Sequence, residues 1–213
     1  MPRPDTDLEL VAAGTAFFDA ALARVRDEDL AGPSLLPGWT RAHVAAHIAY
    51  NAAGLRRLAD WAATGIEQTM YPSQEGRDAE IEEGAALPAA QLREFVAETG
   101  AALAERWAQL PEEAWDATVG AAHRGEFFPE SFTVWMRCRE TWLHAMDLNA
   151  GDSWDDLPAD LSERLHAEIT GGWDSVPEVQ GSIGAKLAWA AGRSDEGVRT
   201  PAGDRPAPAP RWR

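Results

Sequence analysis

The chain has 213 residues, 45% of them hydrophobic, enough for one large domain, or one of ordinary size plus an appendage, around a substantial apolar core. A formal net charge of -16 repels phosphate backbones and anionic membranes, so neither nucleic acid nor a membrane surface is expected as a partner. No stretch approaches the roughly 20 apolar residues of a membrane span, and the start, Met1-Pro2-Arg3-Pro4-Asp5, lacks the basic and apolar regions of a signal peptide. The lone Cys138 leaves no internal disulfide framework and no multi-cysteine zinc motif. A cytoplasmic protein, monomeric or weakly oligomeric, is the expectation, and its ten Trp residues are a surplus to be divided between core and cavity.

In chain order, Leu8, Val11, Thr15, Phe18, Leu22 and Val25 form the stripe of an amphipathic helix, with Thr6 and Glu9 spaced as a capping box. The turn-rich Gly32-Pro33-Ser34-Leu35-Leu36-Pro37-Gly38 follows, after which Thr40 caps a long helix that runs to about Ala63 and closes at Gly65. A polar segment with Pro72, Gly76 and Gly84 reads as a short helix or a flap. A third long helix spans about Pro88 to Leu110, with Leu92, Val96, Leu103 and Trp107 inward. Residues 111–131 show little periodicity and read as a loop with room for a short strand. The fourth helix begins near Ser131 and carries Trp135, Met136, Trp142, Leu143 and Met146. The fold class is therefore mainly α, a four-helix bundle over residues 1–150. Residues 151–213 form a small subdomain: a stripe at Leu161, Leu165, Ile169 and Trp173, a short helix ended by Gly192, and a proline-rich tail that runs extended.

Chemistry concentrates on the fourth helix. Glu140 and His144 stand at i and i+4, so a carboxylate and an imidazole leave one face about a turn apart. His47, in His43-Val44-Ala45-Ala46-His47 on the second helix, is the best third donor. Two His and one carboxylate leave coordination positions open, as catalytic sites do. At about 100° per residue, Asp147 lies near Glu140 and can orient a ligand imidazole through its other nitrogen, whereas Cys138 is nearly opposite and packs. On the second helix Tyr50, Asn51 and Gly54 share the face of His47, with Gly54 permitting a close approach. The bland alternatives are a solvated Glu140–His144 pair and a core His47. The strongly apolar helix argues against the first, because an unpartnered buried carboxylate is costly. His43 is ambiguous, and His123 and His166 receive no role. Arg193, just beyond the short C-terminal helix, is either a surface cation at a helix end or a clamp for a carboxylate.

The run Leu36-Pro37-Gly38-Trp39-Thr40-Arg41-Ala42-His43, then Ala46-His47-Ile48-Ala49-Tyr50-Asn51-Ala52, then Trp135 through Leu148, closely resembles the mycothiol-dependent maleylpyruvate isomerases, members of the DinB-like superfamily of metal-binding four-helix bundles. Tyr71-Pro72-Ser73 with Arg77-Asp78-Ala79-Glu80-Ile81, and Ala190-Ala191-Gly192-Arg193, extend the likeness along nearly the whole chain. The resemblance implies Zn2+ held by His47, Glu140 and His144, mycothiol as thiol cofactor, Arg193 as the functional arginine, and cis–trans isomerisation of maleylpyruvate to fumarylpyruvate. Tyr50, Asn51 and Asp147 are the remaining candidates for the pocket or the cofactor. One departure is visible: only about twenty residues separate the Trp173 helix from Gly192-Arg193, so a shortened C-terminal subdomain with few or no strands is expected. A mycothiol S-transferase acting on another electrophile, and a non-catalytic metal-binding regulatory bundle, are the rival functions. A thiol-dependent isomerisation assay separates the first, and saturated metal coordination without thiol dependence would mark the second.

Overall fold

The computed structural model describes residues 2–121 and 125–210, so His123 lies outside it. The fold is mainly helical: α1 (Asp5–Arg24), α2 (Arg41–Thr64), α3 (Gln74–Ala85), α4 (Ala89–Ala108), the hairpin β1 (Thr118–Ala121) and β2 (Glu126–Pro129), α5 (Glu130–Asp147), α6 (Ala159–Gly171) and α7 (Ile183–Ala190). It divides into two compact units, residues 1–150 and 151–213.

In the first unit α1 packs on α5, and α2 packs on α3, α4 and α5. The core runs through Phe18 and Leu22 of α1, Val44, Ala45, Ile48 and Ala49 of α2, Leu92 and Val96 of α4, and Ala145 with Leu148 at the end of α5. Helix α1 starts one residue before Thr6, behind Pro4, with no side-chain cap, so the expected Thr6–Glu9 capping box does not form. Acidic Asp5 and Asp7 in the first turn face the positive end of the helix dipole instead. At Gly14 a β-carbon would come within 2.5 Å of Thr141 Oγ1 and 2.6 Å of Trp142 Nε1, so this glycine sets how closely α1 lies on α5.

Helix α2 begins as its sequence requires. Thr40 Oγ1 accepts from the His43 backbone N–H, while the His43 ring receives the Thr40 N–H, a capping box with histidine in the usual Glu position. Its end is Gly65, in the left-handed region at φ 72°. The connection before α2 is fastened to the end of α5: the Leu35 N–H donates to Asp147 O at 3.0 Å and Arg41 Nε to Leu148 O at 2.7 Å. Residues 66–73 lead into α3, capped by the Ser73 hydroxyl. This segment crosses α2 at Gly54, where a β-carbon would lie 2.7 Å from Met70 Cγ. The stretch read as a loop with a strand is a single 3-10 turn (Glu112–Asp116) and then the antiparallel β1–β2 hairpin, with Val119 opposite Phe128.

In the second unit α6 buries Leu161, Leu165 and Ile169, α7 buries Leu187 and Trp189, and the two helices pack on each other. Trp173 meets Trp189 edge-on at 5.6 Å. Among the described residues beyond 150 the only β pairing is an isolated bridge between Gln180 and Arg199. The proline-rich tail has no regular structure and is held by Trp189 Nε1 donating to Ala207 O at 2.9 Å.

Candidate metal centre and its pocket

Helices α2 and α5 bring His47, Glu140 and His144 together, with one potential ligand atom from each lying within 4.8 Å of the others. The Glu140 carboxylate sits between the two imidazoles: its Oε2 is 2.8 Å from His47 Nε2 and 2.9 Å from His144 Nε2. On the far side of His144, Nδ1 is 2.8 Å from Oδ2 of fully buried Asp147. The i+3 position therefore fixes the ring orientation and keeps a hydrogen on Nδ1, leaving Nε2 as the donor atom turned to Glu140. Arg77, at the start of α3, donates from Nη2 to His47 Nδ1 at 3.2 Å. Trp39 lies edge-on to His47 at 5.5 Å.

The three groups titrate as a unit. Burial drives His47 down to about 4, with the Glu140 carboxylate opposing and the positive charges of His144 and Arg77 adding to the fall. Burial alone would raise Glu140, but hydrogen bonds from His144 and His47 hold it well below the usual carboxylate range. For His144 burial is outweighed by acceptance at Asp147 and Glu140, which push it up to about 9. A buried carboxylate held between two imidazole nitrogens is a donor set that a divalent cation can take by displacing the protons between them. Two nitrogens and a carboxylate suit an ion of borderline softness such as Zn2+ and leave positions open, so the residues present fit the expected metal.

The triad lines a cavity of about 290 Å³. Its walls are partly apolar, from Leu58, Met70, Phe128 and Met136, and partly polar, from Asn51, Tyr71, Ser73 and Arg77. Asn51 accepts at Oδ1 from the fully buried Arg137, which also donates to Ile48 O, both at 2.8 Å. That bond decides which end of the amide accepts, so the other end is the Asn51 NH2. Tyr50 is placed differently from Asn51. It lies against Phe95, with ring centroids 4.9 Å apart, and beside Gly84, and it is not among the pocket residues. Both follow His47 by about one turn, but Tyr50 falls on the α4 side of α2 and Asn51 on the α5 side. His43 serves as a cap and faces Glu82 across 3.3 Å, and Cys138 is buried packing. Arg193, in the second unit, follows Gly192 at φ 74° and is half-buried; its backbone N–H bonds to Ala188 O and its Nη1 to Ala191 O. Among the pocket residues, Tyr71 and Arg77 were left without roles by the sequence, and Trp39 beside His47 likewise. Their signals were the Tyr71-Pro72-Ser73 and Arg77 likeness within a polar segment and the Leu36–His43 run that contains Trp39.

Fold and site thus define a helical bundle with a candidate divalent-metal centre at the meeting of two of its helices. Residues 11–149 match the family described as the mycothiol maleylpyruvate isomerase N-terminal domain, and the chain belongs to that family. It is also similar to a crystal structure of the mycothiol-dependent maleylpyruvate isomerase, with 35% sequence identity and a TM-score of 0.91 over 100% of this chain and 98% of that one. A crystal structure of a His-to-Ala variant of such an isomerase gives the same values. No curated protein sequence matches the chain. No described helix is long and apolar enough to cross a membrane.

Proposed function

We propose that the chain is a zinc- and mycothiol-dependent isomerase that converts maleylpyruvate to fumarylpyruvate. The reading is carried by one observation: a His–Glu–His cluster opens onto a small pocket in a chain similar over its full length to an isomerase of that name. His47, Glu140 and His144 would hold the ion, and Asp147 would keep His144 in the ligating orientation. When bound, metal and thiol would supply a thiolate at neutral pH, whose reversible addition to the conjugated double bond leaves a single bond free to rotate.

The protein's own part is binding and orientation. The apolar wall of Leu58, Met70, Phe128 and Met136 suits the unsaturated carbon chain and limits water around the reacting carbons. The polar wall offers hydrogen bonds to the ends of a dicarboxylate, with the Asn51 amide held by Arg137. In a protein of net charge -16, local cations must draw an anion in. Arg193 is proposed as the clamp for one carboxylate.

The test pairs metal analysis of the purified protein with turnover of maleylpyruvate in the presence and absence of mycothiol. The reading requires near-stoichiometric zinc and isomerisation that depends on the thiol. Thiol-dependent consumption of a different electrophile, with maleylpyruvate untouched, would move the chain to the S-transferases. Bound metal with no thiol-dependent chemistry would make it a binding module.

A further inference from the structure

Two groups of the polar wall are given no individual role in the scheme above. The Tyr71 hydroxyl is buried and has no hydrogen-bond partner among the described residues, although Tyr71 lines the pocket. A buried hydroxyl left unsatisfied is costly and calls for a partner, and here the space beside it is the cavity. Arg77 is the second group. Its side chain is only 23% exposed, and its guanidinium lies 5.8 Å from the Tyr71 ring centroid and 5.9 Å from that of Trp39, so two aromatic rings hold it at the pocket edge. Its carboxylate partner is the adjacent, largely exposed Asp78, a pair of little strength.

We propose that Tyr71 and Arg77 form a carboxylate subsite beside the triad, which takes the substrate carboxylate attached directly to the reacting double bond. Arg77 Nη2 is hydrogen-bonded to one nitrogen of the His47 ring whose other nitrogen faces the triad. An anion on this guanidinium therefore lies one imidazole ring from the proposed ligand position, too near to be the distant pyruvyl end of the substrate. An imidazole that gives Nε2 to a cation carries its hydrogen on Nδ1 and no longer accepts there, which turns the Arg77 donor over to the anion. A planar guanidinium meets a carboxylate through two parallel hydrogen bonds, and the tyrosine hydroxyl supplies a third donor. Burial pushes the Tyr71 phenol up to about 12, so it stays a donor throughout the neutral range. The pocket also includes two carboxylates: Glu140 is enclosed by imidazoles, and Glu126 is exposed.

The identity of the anion rests on the isomerase reading; the subsite does not. The probe is maleate, which has the carboxylate and cis double bond but no ketone, titrated into zinc-loaded protein by calorimetry while zinc content is followed by elemental analysis. Arg77→Gln should weaken maleate binding tenfold or more, Arg77→Lys by less, and Tyr71→Phe several-fold, with zinc stoichiometry unchanged in all three. No maleate binding by the parent protein, or affinities within twofold of the parent in both Arg77→Gln and Tyr71→Phe, would overturn the subsite. Loss of zinc together with affinity would also overturn it, because Arg77 would then act by holding His47. Maleate binding that depends on Arg77 in a protein without maleylpyruvate turnover would sink the isomerase reading and leave the subsite standing.

Discussion

Glu130 opens the helix that carries Glu140 and His144, and its carboxyl group is fully buried. Burial raises it from the ordinary 4.5 to about 7, against the hydrogen bonds that Trp107 Nε1 and Thr133 Oγ1 donate to Oε1 and the charge of Arg106. The other oxygen, Oε2, has no partner among the described residues. Because the folded value lies above the unfolded one, the folded protein keeps a proton that the unfolded chain has already released between the two. This stability is fully present below about pH 4.5 and is lost as the pH rises through about 7. At ~1.4 kcal/mol per pH unit the gap corresponds to about 3 kcal/mol. Glu130→Gln keeps the shape and the two bonds at Oε1 but cannot ionise. The variant should match the parent below about pH 4 and exceed it above about pH 8 by about 3 kcal/mol, or about 10 °C in Tm for a chain of this size. Urea or thermal unfolding of both proteins across that range, at equal metal load, isolates this group, since every other titration cancels in the difference. Two stability curves that run parallel would show Glu130 already ionised in its folded setting and refute the argument from burial.

Three further outcomes bear on the site. His47→Ala should lose bound zinc and activity together, and a variant that keeps full zinc occupancy would remove His47 from the ligand set. Asp147→Asn should preserve the fold but weaken zinc affinity by about tenfold or more, measured by competition with a chromogenic chelator, because the buried charge opposite His144 Nδ1 is gone. Arg193→Ala should lower kcat/KM by about tenfold or more with zinc content unchanged, the cost of a charge-assisted hydrogen bond to a carboxylate; unchanged kinetics would reject the clamp.

The parts legible from sequence were those set by local rules. Thr40 and Gly65 announced the limits of α2 because a cap hydroxyl and a left-handed glycine act within a few residues. Glu140 and His144 could be read as a convergent pair because helical pitch alone sets their relation. The Thr6–Glu9 box failed for the same kind of reason: a rival start one residue earlier, with Pro4 and two acidic residues, used the same first turn. Tyr50 and Asn51 were indistinguishable by periodicity, being neighbours on one face. Which of them meets the pocket depends on α4 lying to one side of α2 and α5 to the other, and no local pattern in α2 contains that.

The wall formed by Tyr71 and Arg77 was hidden for a deeper reason. Thirty positions separate Arg77 from the His47 ring it touches, in a segment too polar to show a periodic stripe. What brings it there is the absence of side chains at two places. Gly54 admits Met70 against α2, and Gly84 lets α3 lie on Ala46 and Tyr50, where an added β-carbon would fall 2.8 Å from the Ala46 β-carbon. Glycine in a helix interior costs about 0.5–1 kcal/mol relative to alanine, so Gly54 in the middle of α2 points to a geometric demand, and Gly84 in the last turn of α3 meets the same helix. The demand is that α3 lie close enough for Arg77 to reach His47 while its ring partners Trp39 and Tyr71 hold it from the sides. Helices α2 and α5 would therefore supply the cation-binding half of the centre through pitch, and the 66–85 segment the anion-binding half through close approach. A substrate that needs both would bind only where the two meet.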